Sequence, residues 1–199
     1  MNIGIFGGTF DPIHTGHLVA AVNAKYSANL DEIHLVVANL PWQKEGSRTL
    51  TPARVRFNLV EKALRGLDGF VASDLEIQRG GRSYTFDTLT EFARRFPRDQ
   101  LYLVVGADAA IEMHSWEKGD ELSKLSRLVV VTRPGFKIPS KILGWEQWQS
   151  VEIPSLDISS TDLRRRVRDG RPLQFLLPEF AVEFIKDNEL YLDEPPDEE

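Results

Sequence analysis

Gly7-Gly8-Thr9-Phe10-Asp11-Pro12-Ile13-His14-Thr15-Gly16-His17-Leu18 follows directly on the apolar run Asn2 to Phe6. A short apolar strand, a glycine-rich loop and a helix, in that order, open a β-α-β unit and hence a parallel sheet. Gly7 and Gly8 let the backbone turn tightly and come close to a ligand, and Pro12 stiffens the loop. The helix is predicted to start at Thr15 or Gly16, so its unpaired N–H groups and positive dipole end face the loop, which is an anion site. His14 and His17 are three apart and share a face of that first turn, and both side chains can donate hydrogen bonds to phosphate oxygens. The stretch is neither a Gly-Lys-Ser/Thr phosphate loop nor a Gly-x-Gly-x-x-Gly fingerprint. Two readings compete with the phosphate site. One is a metal-binding pair, which lacks a carboxylate at matching spacing. The other is a plain turn with incidental histidines.

Working outward, further strands are expected at Glu32–Val37, Phe70–Ile77, Leu101–Val105, Leu128–Thr132 and Val151–Ile153. Several are near-continuous in Val, Leu and Ile, the pattern of strands buried on both faces. Helices fit between them. Thr51-Pro52 opens one that Gly66 stops, Ser83 or Thr85 opens another that ends at Pro97, and Leu18 to Ala24 is apolar nearly all round and so expected to be buried. The alternation predicts an α/β fold, a doubly wound parallel sheet of five or six strands with helices on both faces. Ligands of such sheets sit beyond the C-terminal strand ends, so the loops there carry the functional reading. Residues 135–150 show no regular pattern and receive no element.

The 199 residues include 24 Lys+Arg against 30 Asp+Glu, a formal charge of −6, and no cysteine. An acidic balance disfavours nucleic-acid binding. The absence of cysteine excludes disulfides, thiolate metal sites and cysteine nucleophiles, and fits a cytoplasmic protein. No apolar run reaches the roughly 20 residues that span a bilayer. One domain is expected over residues 1–192, with the acidic 193–199 as a solvated tail. Homo-oligomerisation is left open.

A second hydroxyl-rich helix start stands near the other end, Ile158-Ser159-Ser160-Thr161-Asp162-Leu163-Arg164. On chemistry alone, Ser159, Ser160 or Thr161 caps a helix that Gly170 ends, and Arg164 one turn in completes a second phosphate cradle. The plainer alternative is an ordinary cap with a solvent-facing Arg. The run Arg164-Arg165-Arg166 spreads over more than one helix face, so only part of it is expected at a ligand.

Taken together, Gly-Gly-x-Phe-x-Pro-x-His-x-Gly-His and Ile-Ser-Ser-Thr-x-Leu-Arg resemble the two signatures of the nucleotidylyltransferase superfamily. That resemblance implies a Rossmann-like fold, ATP as co-substrate and Mg²⁺. It places Gly7, Gly8, Thr9, Phe10, Ser159, Ser160 and Thr161 at the nucleotide, and His14, His17 and Arg164 at its phosphates. No metal ligation directly by protein side chains is expected.

Three middle segments resemble bacterial nicotinate-nucleotide adenylyltransferases. They are Ser83-Tyr84-Thr85-Phe86-Asp87-Thr88-Leu89, Gly106-Ala107-Asp108 with the downstream Trp116, and Arg133-Pro134-Gly135. The resemblance implies nicotinate mononucleotide as acceptor, with its ring on Trp116, its carboxylate near Tyr84 and Thr85, and Arg133 at the rim. Gly106 and Asp108 would then meet the ribose or Mg²⁺. Each has a plainer reading: Trp116 as a core or rim aromatic, Thr85 and Asp108 as helix caps, Arg133 as a surface side chain. One departure concerns Leu40-Pro41-Trp42-Gln43-Lys44, where the family commonly carries His before the Lys. Lys44 is expected to neutralise the acceptor phosphate. Arg54 and Arg56 do not share a face, so at most one is expected at the site.

Overall fold

The computed structural model describes residues 1–42, 50–135, 142 and 144–192. Strands β1 (Asn2–Gly8), β2 (Glu32–Val37), β4 (Phe70–Ser73), β6 (Gln100–Gly106), β7 (Arg127–Thr132) and β8 (Gln149–Glu152) form one sheet. Its order is β4-β2-β1-β6-β7-β8, and every pairing in it is parallel. Two-residue strands β3 (Leu40–Pro41) and β5 (Arg82–Ser83) pair beside it. The helices are α1 (Thr15–Ser27), α2 (Ala53–Leu64), α3 (Leu75–Arg79), α4 (Thr85–Arg95), α5 (Ala107–Ile111), α6 (Ser160–Arg168) and α7 (Glu179–Asp187). Among the described residues, no helix is long and apolar enough to cross a membrane.

The strand periodicity of two builds the layers. Tyr102 and Val104 of β6 face one core with Ala21 and Ala24 of α1, Leu59 of α2 and Ile185 of α7. Leu101, Leu103 and Val105 face the other, with Leu89 and Phe92 of α4 and Met113. This is the doubly wound α/β, Rossmann-like architecture. The chain runs from β1 to β2 on one side and returns to β6 on the other, so the sheet splits its connections between β1 and β6. That split opens a crevice at the strands' C-terminal ends.

Two local expectations change. Residues 70–77 do not form one strand: the backbone leaves extended geometry at Asp74 (ψ 19°) and turns into α3. The turn is held by Gln78, whose amide N–H donates to the Asp74 carbonyl and whose side chain donates to Asp74 Oδ1 at 2.7 Å. It sends Leu75 into the core around Phe92. In α1, burial is confined to Ala20, Ala21 and Ala24, while Val22 is exposed, because only one face meets the sheet. Helix α7 received no expectation, although Pro178 followed by Ala181, Val182 and Ile185 at helical spacing held the signal. In the irregular stretch, Ile142 and Trp145 are buried and bridge each other. The acidic tail 193–199 lies outside the described residues.

Candidate active site

Two cavities flank the end of β1 and share Phe6 and Gly106 as a common wall. The larger, about 830 Å³, is lined by His14, Gly16 and His17, by Asp108, by Arg133 to Gly135 after β7, and by Ile158 to Thr161. The smaller, about 200 Å³, is lined by Gly7 to Thr9, Trp42, Glu76, Ser83, Thr85, Thr88 and Trp116. Of the sequence-predicted residues, His14, His17, Asp108, Arg133 and Ser159 to Thr161 line the large cavity and Gly7 to Thr9, Thr85 and Trp116 the small one, Gly106 lines both, and Phe10, Tyr84 and Arg164 line neither.

The loop after β1 is packed rather than open. Gly8 is needed because a Cβ there would come within 2.7 Å of the Phe10 ring. Phe10 itself (φ 49°) is buried, edge-on to Phe6 and to His17, and lines neither cavity. The ring is loop core, which leaves the backbone of Phe10 as its route to a nucleotide. Gly7 fronts open space instead.

His14 and His17 do come together, with rings stacked at 3.6 Å. The His14 backbone N–H donates to His17 Nδ1 at 3.3 Å. Accepting there leaves the neutral His17 ring to carry its proton on Nε2, on the far side. Gly16 makes room: a Cβ there would sit 3.0 Å from His14 Nδ1. The free-amide picture of the α1 start is only partly right. Thr15 N–H is taken by the Leu176 carbonyl at 2.9 Å and His17 N–H by the His14 carbonyl at 2.9 Å.

Burial pushes the His14 imidazole down from 6.5 to about 4, and its shielded Nδ1 meets no hydrogen-bond partner among the described residues. His34, buried against Phe92, is lowered by the same cause, partly offset by Glu32. The sign follows by linkage. Between about pH 6.5 and 4 the unfolded chain binds protons that the folded chain refuses. Stability is therefore expected to fall as pH drops through that window. Urea midpoints at pH 7, 6 and 5 test this, and a midpoint flat across the window counts against a neutral buried His14. The His14 ring protons should show no titration near pH 6 by NMR.

Arg164 departs from its expected role at the phosphates. It is 2% exposed, lines neither cavity, and donates to the Asp11 carbonyl at 3.1 Å and to Thr161 Oγ1 at 3.2 Å. Its guanidinium braces the back of the loop. Ser160 Oγ does the same, donating to the Pro12 carbonyl at 3.0 Å, and Ser159 Oγ caps α6 by accepting from Asp162 N–H at 3.1 Å. Arg165 and Arg166 are paired with Asp162 on their own helix, which accounts for most of the basic run.

Arg56 was not assigned. It is fully buried and donates to the carbonyls of Thr51 at 2.8 Å, Thr9 at 2.6 Å and Asn39 at 3.2 Å. Arg54 instead pairs with Asp74 at the surface. Asp11 is 1% exposed and accepts from Tyr191 Oη at 2.7 Å and from Thr51 N–H at 3.3 Å. The Asp11–Pro12 peptide is cis.

On the small-cavity side, Thr85 opens α4 and lines the wall, and no side chain caps that helix start. Tyr84 is the N-cap residue and does not line the cavity; its carbonyl accepts from Thr88 N–H at 3.2 Å. Trp116 does line it, and its shielded Nε1–H meets no acceptor among the described residues. Trp42 and Glu76 line it too, without having been assigned. Burial raises the Glu76 carboxyl above the usual range, although the Ser83 and Thr88 hydroxyls and Arg79 pull the other way. Asp108 is exposed in the first turn of α5, whose N-cap is Gly106, and Arg133 reaches Asp157 at 3.3 Å. Lys44 and Gln43 lie outside the described residues. Among those described, no cluster of three or more His, Asp or Glu is placed to hold a metal ion.

The cytidylyltransferase-like family profile matches residues 5–166. The "Probable nicotinate-nucleotide adenylyltransferase" of Corynebacterium kroppenstedtii is 41% identical over 192 residues, covering 96% of this chain and 90% of that one. Its namesake from Corynebacterium glutamicum is 38% identical over 200 residues, covering 99% and 91%. Among solved structures, the Plasmodium falciparum nicotinic acid mononucleotide adenylyltransferase complexed with NaAD superposes with a TM-score of 0.82 at 24% identity, covering 96% of this chain and 97% of that one. At that identity the likeness speaks to the fold. The sequence relatives and the family profile speak to descent: the chain belongs to the cytidylyltransferase-like family, among the nicotinate-nucleotide adenylyltransferases.

Proposed function

We propose that this chain transfers AMP from ATP to nicotinate mononucleotide, releasing pyrophosphate and giving deamido-NAD⁺ for NAD biosynthesis. The observation that carries the reading is the pair of cavities meeting at Phe6 and Gly106. The large one offers histidines and a helix start to a triphosphate, the small one tryptophans and a helix start to a pyridine carboxylate. An acceptor phosphate at the shared wall faces the α-phosphorus of ATP. One of its oxygens attacks in line, a new P–O bond forms, and the bond to the bridging oxygen breaks as pyrophosphate leaves. No side chain need become covalently attached. The protein's part is positioning and charge neutralisation.

His17 Nε2–H and the α6 start at Ser159–Thr161 would hold the phosphates, with His14 entering neutral. Lys44 would meet the acceptor phosphate. Arg164 contributes through the loop it braces. Asp108 supplies a single carboxylate to the large cavity, which suits Mg²⁺ carried by the triphosphate rather than held in a protein cage. Mg²⁺ bound there would neutralise charge building on the leaving pyrophosphate.

For the acceptor, the uncapped α4 start at Thr85 presents the positive end of a helix dipole to a carboxylate. An amide gains less there, so the acid form is preferred. Both substrates are soluble metabolites, which agrees with a cytoplasmic site of action.

The test is pyrophosphate release from Mg²⁺-ATP with nicotinate mononucleotide, nicotinamide mononucleotide and phosphopantetheine in parallel. Release is expected with the first. Release only with another acceptor overturns the small-cavity reading, and ATP binding without release overturns the reaction. Trp116→Ala is expected to raise the acceptor KM by about tenfold, as loss of an aromatic stacking contact of roughly 1–1.5 kcal/mol, and to leave the ATP KM within a factor of about two of the native value. Equal shifts in both constants would count against ring stacking on Trp116.

A further inference from the structure

The family profile ends at residue 166, yet the segment beyond it reaches back into the loop that carries the histidine pair. Tyr191 is 6% exposed, and its hydroxyl donates to Asp11 Oδ1 at 2.7 Å across 180 residues of sequence. Asp11 precedes the cis Pro12 whose carbonyl Ser160 holds, and the Asp11 carbonyl is itself held by Arg164. The same segment supplies the carbonyls of Phe175 and Leu176, which accept from the Thr15 hydroxyl and N–H at 2.9 Å each. Thr15 is the first residue of α1, directly between His14 and Gly16.

The backbone accommodates this reach. Glu189 (φ 51°) and Tyr191 (φ 68°) both lie in the left-handed region without being glycine, and Phe175 does too (φ 65°), its side chain 93% exposed. Non-glycine residues rarely take that conformation, and they keep it when surrounding contacts impose it. For Phe175 and Tyr191 the contacts are those to the histidine loop, whereas Glu189 is the left-handed residue that ends α7, with Leu190 N–H donating to the Ile185 carbonyl. At 175 the exposed ring gains nothing from burial, so the hydrogen-bonded carbonyl is what the strained turn presents.

We propose that Tyr191 is a positioning residue for adenylyl transfer. Through Asp11 it fixes the loop bearing His14 and His17, alongside the Phe175 and Leu176 carbonyls that hold Thr15. The inference rests on the adenylyl-transfer reading for its assay. If the unmodified chain releases no pyrophosphate, that reading fails first. If it does, the variants below judge Tyr191 alone.

Tyr191→Phe keeps the ring and removes only the hydroxyl. The expected result is a folded protein with kcat lowered on the order of tenfold or more and both KM values within about twofold, the pattern of misplaced rather than unbound groups. Asp11→Ala removes the acceptor at the other end of that bond, and with it the acceptance from Thr51 N–H. The double variant should lose no more than the worse single one, because the two act as one unit. Ile185→Val loosens α7 packing without touching the loop, and kcat should stay near the native value. An unchanged kcat in Tyr191→Phe overturns the proposal. So does an equal fall in Ile185→Val, since packing alone would then account for it. Tyr191→Phe that does not fold also overturns it, by making the hydroxyl a determinant of the fold.

Discussion

Replacing His17 by alanine is expected to lower kcat/KM by on the order of 100-fold or more while the protein stays folded. The ring is oriented from three sides: stacked on His14 at 3.6 Å, met edge-on by Phe10 at 5.0 Å, and accepting the His14 N–H at Nδ1. A donor held this firmly reorganises little as charge grows on the α-phosphate, and preorganisation is where such a contact gains its strength. His17 is only half-buried, so its loss should leave the unfolding temperature within a few degrees of the native value. His17→Gln, which keeps a donor at similar reach, should recover part of the rate. Near-full turnover in the alanine variant would place the phosphate site elsewhere.

The second large effect concerns stability. Arg56→Met removes a fully buried guanidinium that donates to Thr51, Thr9 and Asn39 carbonyls. Methionine fills much of the volume but offers no donor. Each buried carbonyl losing its partner costs about 1–3 kcal/mol, so about 3–5 kcal/mol is expected for the set after local relaxation. At this chain length each kcal/mol is about 2–4 °C in Tm, giving a fall of about 6–20 °C. Activity should fall below what lost stability explains, because Thr9, whose carbonyl Arg56 holds, lines the small cavity. Thermal unfolding followed by circular dichroism checks the first part. A Tm drop of under about 2 °C would show that the three carbonyls find other partners.

The two helix starts illustrate what was readable. Thr15 and Ser160 open α1 and α6 where hydroxyl, glycine and apolar spacing put them, and Glu32–Val37 is a strand over the whole expected range. These depend on neighbours in sequence. Leu75 and Glu76 fall inside the short apolar run that predicts a strand over 70–77. The turn at Asp74 is favoured by what it buries: Leu75 against Phe92, and the Glu76 carboxyl between Ser83 and Thr88.

Arg164 and Arg56 make the sharper contrast. Both sit in or beside motifs, and in sequence an arginine near a phosphate loop invites a phosphate contact. Whether its guanidinium meets a ligand or a backbone carbonyl depends on which carbonyls the fold leaves unpaired. The loop from Thr9 to Ile13 pairs with no strand, so its carbonyls need donors from elsewhere. Arg56 from α2, Ser160 and Arg164 from α6 provide them, and Tyr191 meets the carboxylate at residue 11.

The sequence by itself determined the parallel α/β sheet, the loop that carries the histidine pair, and the family. Strand periodicity, glycine spacing and helix caps are local, and short-range physics reads them directly. Tertiary structure alone decided which polar side chains face ligand and which are spent inside. It alone brought Trp42, Glu76 and Trp116 to one cavity, and it closed the histidine loop with a tyrosine 180 residues away. Those are decisions about satisfying buried polar groups, and they exist only once the chain has folded around them.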